Sequence, residues 1–334
     1  MATKIAINGF GRIGRCVTRI ALGDSDVELV AVNDLASPDQ LGLLFARDSV
    51  HGNYGGDVEV GDGQMTVDGE ELKVFASADP SELPWGDLGV DIVLECTGVF
   101  RERDKAAKHL DAGARRVIIS APGKGVDLSM CMGVNHDEYR PDMEIVDIAS
   151  CTTNCLAPVA KVLDESFGIE RGLMTTIHAY TNNQNILDTP HKDPRRARAA
   201  ALNMIPTTTG AAIAVTKVLP QLKGKLNGMA IRIPTPTVSL VDLVVSLEQS
   251  ADVDTVNGAF EEAAKGPMKG ILGYSEEPLV STDYVGDPRS SIVDGLSTMA
   301  MGDGFFKILS WYDNEWGFSQ RMLDAAKFVA SQST

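Results

Sequence analysis

Positive charge is scarce in this chain. Lysine and arginine total 30 against 46 aspartate and glutamate, a formal net charge of −16. That deficit removes the basic face that general nucleic-acid binding requires. It leaves two readings open, solubility through self-repulsion and an acidic surface adapted to high salt. Cysteine is scarce too, with five in 334 residues, odd in number and mostly set in apolar runs. Such usage is not a disulfide framework and suits a reducing compartment. Cys151 and Cys155 have no second Cys/His pair at zinc-like spacing, so no metal site is expected. No apolar run reaches the length of a bilayer crossing, so no membrane partner is expected. Met1-Ala2-Thr3-Lys4 passes straight into a strand pattern, unlike a secretory leader, and the expected location is cytoplasmic.

What is present fits a two-domain globular protein, with 44% hydrophobic and 23% charged residues and enough length for two cores. Lys4-Ile5-Ala6-Ile7-Asn8 reads as a strand. It enters Gly9-Phe10-Gly11-Arg12-Ile13-Gly14, and a helical pattern continues to Leu22. A second strand at 29–32 ends at Asn33-Asp34. Strand patterns at 91–96, 116–120 and 144–148 alternate with helical or loop segments. The alternation predicts an α/β fold, a Rossmann-type doubly wound parallel sheet, with an antiparallel hairpin inserted between 55 and 75. Beyond Cys151 the strands lengthen, at 173–180, 228–234, 238–247, 290–294 and 305–311, with helices at 210–222 and 252–265. That pattern predicts an α+β domain on a mostly antiparallel sheet. The expected division is a dinucleotide-binding domain over 1–150 and a catalytic domain over 151–314. A last helix, 315–334, is expected to pack back on the first domain. The Arg-rich stretch 182–198 reads as a long ordered loop, and such loops are usually functional.

A Gly-x-Gly-x-x-Gly alone is a weak signal, but here it joins a strand to a helix and an acid follows about twenty residues on. Gly9 permits the tight turn, Gly11 lets backbone approach a pyrophosphate, and Gly14 lets helix and strand pack closely. Asp34 suits a ribose hydroxyl and repels a 2′-phosphate, which favours NAD over NADP.

Ser150-Cys151-Thr152-Thr153-Asn154-Cys155 lies between a strand pattern and a helical one. A cysteine at a helix N-terminus gains from free N–H groups and the helix dipole, which predicts a lowered thiol pKa and a nucleophile. A small buried core cysteine is an equal reading of the hexapeptide alone. Cys155 reads as a packed apolar thiol. Among the five histidines, His178 ends an apolar strand and precedes the polar run Thr181-Asn182-Asn183-Gln184, so it is the candidate base. His109 and His136 read as surface residues. Thr207-Thr208-Thr209-Gly210 opens a helix and suits an anion. Arg195 and Arg196 read as ion-pair partners, whereas Arg232, flanked by apolar residues, reads as buried with a specific role.

These motifs occur in the order of one family. Asn8 to Arg15, Ser150 to Cys155, His178-Ala179-Tyr180-Thr181-Asn182, Thr209-Gly210-Ala211-Ala212, Arg232-Ile233-Pro234-Thr235 and Trp311-Tyr312-Asp313-Asn314-Glu315 together resemble phosphorylating glyceraldehyde-3-phosphate dehydrogenases, along essentially the whole chain. The resemblance implies NAD-dependent oxidation of glyceraldehyde 3-phosphate to 1,3-bisphosphoglycerate. Cys151 would form a thiohemiacetal and then a thioester, with His178 as base. It implies that Ser150, Thr152, Thr209 and Gly210 hold the attacking inorganic phosphate. Thr181, Arg198 and Arg232 would contact phosphate groups. Arg12, Ile13, Asp34, Thr97 and Ser120 would line the NAD site, and Asn314 would orient the nicotinamide. It also implies a homotetramer in which residues 182–204 reach a neighbouring subunit. Ala78, Asn183 and Ile213 depart from the family's usual Arg, Asp and Lys. The alternatives are an erythrose-4-phosphate dehydrogenase, which has less need of an inorganic phosphate site, a Cys–His hydrolase, which leaves the glycine turn unexplained, and a non-catalytic binding module.

Overall fold

The computed structural model describes residues 2–302 and 304–332. The chain divides into two compact units. The first comprises the chain up to Met130, Asp137–Ala149 and the chain from Ser319 onward, and the second comprises Cys131–His136 and Ser150–Phe318.

Among the described residues, the first unit is built on a nine-stranded sheet. Its order is Val58–Gly61, Gln64–Val67, Glu70–Phe75, Val27–Asn33, Thr3–Asn8, Ile92–Glu95, Arg116–Ile119, Ile145–Asp147, Leu128–Ser129. From Glu70–Phe75 onward every pairing is parallel. The central strands are short apolar runs buried on both faces, with Ile5, Ile7, Val93 and Ile118 fully inaccessible. The expected hairpin is a three-stranded meander instead, whose last strand joins the parallel sheet beside Val27–Asn33. Its second turn, Asp68-Gly69, has positive φ at both residues (49° and 87°), the twist that tight hairpins favour. A helix over Pro38–Ala46, capped by the Ser37 hydroxyl, was not anticipated. Its Asn-free, Leu-rich run carries little amphipathic contrast. The helix Trp316–Ser331 joins the first unit from Ser319, where Lys327 pairs with Asp24 at 2.7 Å.

A polar network lies under the carboxyl ends of the first unit's central strands. Asn33 donates to Asn8 Oδ1 (2.7 Å), and Asn8 donates to Glu95 Oε2 (2.6 Å). The backbone N–H of Thr97 donates to Glu95 Oε1 at 2.8 Å. His109 is fully buried here, contrary to its reading as a surface residue. Its helix is only Lys108–Asp111, and the charged neighbours face outward while the imidazole turns in. Trp85 Nε1, a donor only, approaches His109 Nδ1 at 3.0 Å, so Nδ1 accepts and the Nε2 proton faces Glu95 Oε2 at 3.2 Å.

The second unit's sheet runs Ile205–Thr207, Leu226–Ile233, Ile169–Ala179, Ser239–Leu247, Phe305–Tyr312, Ser291–Asp294, Leu272–Ser275. Its pairings are antiparallel except Ile169–Ala179 with Leu226–Ile233 and Leu272–Ser275 with Ser291–Asp294. Strand Ser239–Leu247 alternates buried and half-buried along its whole length, so only one face is fully sealed. The sealed side belongs to a core shared with helices Cys151–Phe167, Ala211–Val218 and Val253–Lys265, including Leu156, Leu163, Val215, Phe260, Leu243 and Ile308.

The buried network generates the first prediction. His109→Leu removes the partner of Trp85 and one partner of Glu95 at a site without water access, which should cost about 3 kcal/mol. Chemical denaturation followed by tryptophan emission should show a lower midpoint with an unchanged slope; an unchanged midpoint refutes the role given to the network.

Candidate active site

The residues Ser150 and Cys151 sit where strand gives way to helix. Ala149 holds a left-handed φ of 57°, with its N–H on Asp147 Oδ1 (2.6 Å). Ser150 is the N-cap, its hydroxyl accepting from the Thr153 N–H at 3.1 Å. Cys151 is therefore the first helical residue, and its Sγ lies 3.5 Å from His178 Nε2. His178 stands near the end of Ile169–Ala179 and is 4% exposed. Its ring and that of Tyr312 meet in a T-shaped arrangement, centroid to centroid at 6.0 Å. The Tyr312 hydroxyl reaches Thr152 Oγ1 (2.9 Å) on the helix and Thr176 Oγ1 (2.8 Å) on the strand, bracing nucleophile and base together.

Parallel register places Arg232 opposite His178. Arg232 Nη1 lies 2.7 Å from His178 Nδ1 and 2.8 Å from the Ala179 carbonyl. Arg196 also belongs to this neighbourhood. Its Nε donates to Thr207 Oγ1 (3.0 Å) and its Nη2 to Thr208 O (3.2 Å), with Asp193 at 3.6 Å. Gly210 caps helix Ala211–Val218 without a side-chain bond, and Thr209 Oγ1 accepts from the Ala211 N–H. The second unit thus holds an uncapped helix end and two arginines around this site, a combination whose N–H groups and charge suit an anion.

Electrostatics at this pair differ from the sequence expectation. Burial pushes the Cys151 thiol up, and the opposing pull of Arg232 and the Thr152 hydrogen bonds does not reverse it. Burial and the Arg232 guanidinium push the His178 imidazole down to about 3. Both shifts act toward the uncharged forms, with burial the first cause of each, so position at the helix N-terminus is opposed here by desolvation. Cys155, one turn on, is fully buried, and burial pushes its thiol up to about 12. That agrees with its reading as a packed thiol.

In the first unit, helix Arg12–Ala21 begins at Gly11 with no side-chain cap. A Cβ on Gly11 would meet nothing within 4 Å, whereas one on Gly14 would sit 2.2 Å from Gly9 O. Gly9 has φ +97° and packs on the Thr97 backbone. Open space over an uncapped helix start fits a pyrophosphate. Asp34 accepts from the Phe10 N–H at 2.8 Å, which fixes its carboxylate beside the turn. Burial alone would raise the Asp48 carboxyl, but Arg12 and the N–H groups of His51 and Val50 hold it down at about 2.

Two sequence profiles of one family match the chain. The NAD binding domain of glyceraldehyde 3-phosphate dehydrogenase matches residues 3–103, and its C-terminal domain matches residues 150–314. The chain belongs to the glyceraldehyde 3-phosphate dehydrogenase family. It is 59% identical to a glyceraldehyde-3-phosphate dehydrogenase of Geobacillus stearothermophilus, over 99% of both chains. It is 57% identical to glyceraldehyde-3-phosphate dehydrogenase 1 of Bacillus subtilis, again over 99% of both. With a chloroplastic glyceraldehyde-3-phosphate dehydrogenase A of Zea mays it shares 53% identity over 98% of this chain and 83% of the relative.

Within this glyceraldehyde 3-phosphate dehydrogenase fold, the expected site residues separate into groups. Cys151, His178 and Arg232 come together as described. Ser150 and Thr152 spend their hydroxyls internally, on the helix cap and on Tyr312. Thr181 is half-buried at the start of the Arg-rich loop, where its carbonyl accepts from the Gln184 N–H. Arg198 is exposed and paired with Asp188 at 2.9 Å, away from the Thr207–Thr208 contacts that Arg196 makes. The Arg-x-Arg alternation conceals which arginine turns inward. Asn314 is buried, its Oδ1 accepting from Ser239 Oγ (2.8 Å). Arg12 is engaged with Asp48 and His51. Ile13 is half-buried in the first turn of its helix, and Thr97 and Ser120 lie at strand ends bonded to Glu95.

The two glycines separate folding from binding. Gly11→Ala should leave the melting temperature within about 2 °C of wild type and weaken NAD binding about tenfold or more. Gly14→Ala should destabilise the first unit by about 3 kcal/mol through overlap with Gly9 O. Calorimetry and NAD titration by fluorescence check both; equal effects of the two substitutions would refute the assignment.

Proposed function

We propose that the chain oxidises glyceraldehyde 3-phosphate with NAD and inorganic phosphate, through a covalent intermediate on Cys151. The contact between Cys151 Sγ and His178 Nε2, at 3.5 Å on the first helical residue, carries the reading. The Cys151 sulfur adds to the aldehyde carbon while its proton passes to His178 Nε2 and on to the carbonyl oxygen, giving a thiohemiacetal. NAD, when bound at Gly9, Gly11 and Gly14 with Asp34 on its ribose, supplies hydride acceptance. His178 takes the hydroxyl proton as the thiohemiacetal becomes a thioester. Phosphate then attacks the thioester carbon, the Cys151–carbon bond breaks, and the thiolate regains a proton from His178.

Arg232 and Thr181 suit the substrate's own phosphate. Thr209, Gly210 and Arg196 suit the attacking phosphate, Arg196 taking the place expected of Arg198, because its guanidinium is held at Thr207 and Thr208. The chain acts in the cytoplasm as a homotetramer. Ile186, Leu187, Leu202 and Met204 support this, being 71–81% exposed in the loop expected to meet a neighbouring subunit.

A coupled assay of NADH formation tests the reaction. Turnover should require both glyceraldehyde 3-phosphate and phosphate, and Cys151→Ser should abolish it while NAD still binds. Arg196→Leu should weaken phosphate use about tenfold to a hundredfold and Arg198→Leu less than about threefold. Turnover independent of phosphate would assign a hydrolytic route instead.

A further inference from the structure

Behind Asn314 lies a hydroxyl whose direction is forced. The ladder between strands Ile169–Ala179 and Ser239–Leu247 ends with Ile177 opposite Leu240. Just beyond it, the Ala179 N–H donates to Ser239 Oγ at 3.1 Å. Ser239 is 1% exposed, and its own proton has one acceptor among the described residues, Asn314 Oδ1 at 2.8 Å. Turning the Asn314 amide over would set its NH2 toward the hydroxyl and leave a buried O–H with nothing to bond. The amide oxygen is therefore held on Ser239, and the NH2 is the end left over. Among the described residues no group bonds to Asn314 Nδ2, and that atom is not sealed from solvent although the residue is buried.

The chain around the pair is fixed from several sides. Val238, just before Ser239, is buried and holds a φ of 65°, left-handed for a β-branched residue. Such a conformation persists only where its surroundings over-determine it. On one side of Val238, Thr237 Oγ1 donates to Asp313 Oδ1 at 3.1 Å, and on the other Ser239 donates to Asn314. Asp313 Oδ1 also accepts from the N–H groups of Glu315 and Trp316, each at 2.9 Å. Its Oδ2 accepts from the Gly286 N–H at 2.9 Å. With the backbone beside Asn314 so held, rotation of the amide is the freedom that the Ser239 proton removes.

We propose that Ser239 is a positioning residue that fixes the polarity of the Asn314 amide, so that an NH2 donor meets the carbonyl oxygen of the nicotinamide carboxamide. The inference rests on the proposed reaction with NAD, and on Asn314 meeting the nicotinamide as the family resemblance implies. A carboxamide is an acceptor at one end and a donor at the other. A neighbour fixed as a donor selects one orientation of it about the ring, whereas an amide free to turn accepts both. Ser239 touches neither cofactor nor substrate in this role and acts through Asn314.

The test measures dissociation constants on the full chain for NAD and for two analogues altered only at the carboxamide. In 3-acetylpyridine adenine dinucleotide a methyl replaces the NH2 and the carbonyl oxygen stays. In thionicotinamide adenine dinucleotide sulfur replaces the oxygen and the NH2 stays. Wild type should bind the acetyl analogue within about threefold of NAD and the thio analogue about tenfold more weakly. Ser239→Ala should bring the thio analogue within about threefold of NAD, because the freed amide turns its oxygen to the remaining NH2. A general loss of order would weaken all three alike and leave the ratios unmoved. Ser239→Thr keeps the hydroxyl and should keep the wild-type ratios. Ser239→Cys, whose thiol is a weak donor, serves if the alanine variant does not fold and should shift the ratios the same way. A wild type that binds the thio analogue as tightly as NAD overturns the inference. So does a folded Ser239→Ala with wild-type ratios, or a folded Ser239→Thr with those of the alanine variant. Asn314→Asp probes the reading beneath, since a carboxylate has no donor and the preference between the analogues should reverse. Unchanged affinities for all three dinucleotides in that variant would instead overturn the contact between Asn314 and the nicotinamide.

Discussion

The approach of Cys151 to His178 depends on how one helix is seated on one sheet. Helix Cys151–Phe167 buries Leu156, Val159, Ala160 and Leu163 in a single stripe at helical spacing. The stripe meets Leu243, Val245, Phe306 and Ile308 from the central strands of the second sheet. Because that core is closely packed, neither element can slide without opening a void. The Tyr312 hydroxyl then ties the first turn of the helix to the strand bearing His178. Nucleophile and base are thus presented from rigid elements.

Net charge makes the local cations necessary. A chain carrying −16 repels anionic substrates at long range, although physiological salt confines that repulsion to about 10 Å. Recognition of phosphate must therefore be assembled at contact distance. In the function proposed above, Arg232, Arg196 and the helix beginning at Ala211 would supply it where solvent is partly excluded, so each charge counts for more there than on the surface.

Periodicity made most of the architecture legible. The Gly9–Gly14 turn, the short apolar strands and the alternation along Ser239–Leu247 all express rules that act over a few residues. What stayed hidden was set by tertiary direction. Nothing in the charged run around His109 signals that its ring turns inward to Trp85 and Glu95. Arg196 and Arg198 are two residues apart in a loop without a repeating face, and only the folded path of that loop decides which meets Thr207. The raised Cys151 thiol was missed because helix position is local, while the desolvation that outweighs it comes from the surrounding fold.

The pairing of Lys327 with Asp24 joins positions 303 residues apart. During synthesis the first unit emerges from the ribosome early, yet one of its packed elements is encoded beyond the whole of the second unit. The second unit, apart from Cys131–His136, is drawn from the uninterrupted stretch Ser150–Phe318 and holds its full set of contacts sooner. The parallel sheet must therefore wait, with apolar surface uncovered, until the segment from Ser319 has been made. The order in which the units mature is the reverse of the order in which they are made, and the nascent dinucleotide-binding half is the part most in need of a chaperone's cover.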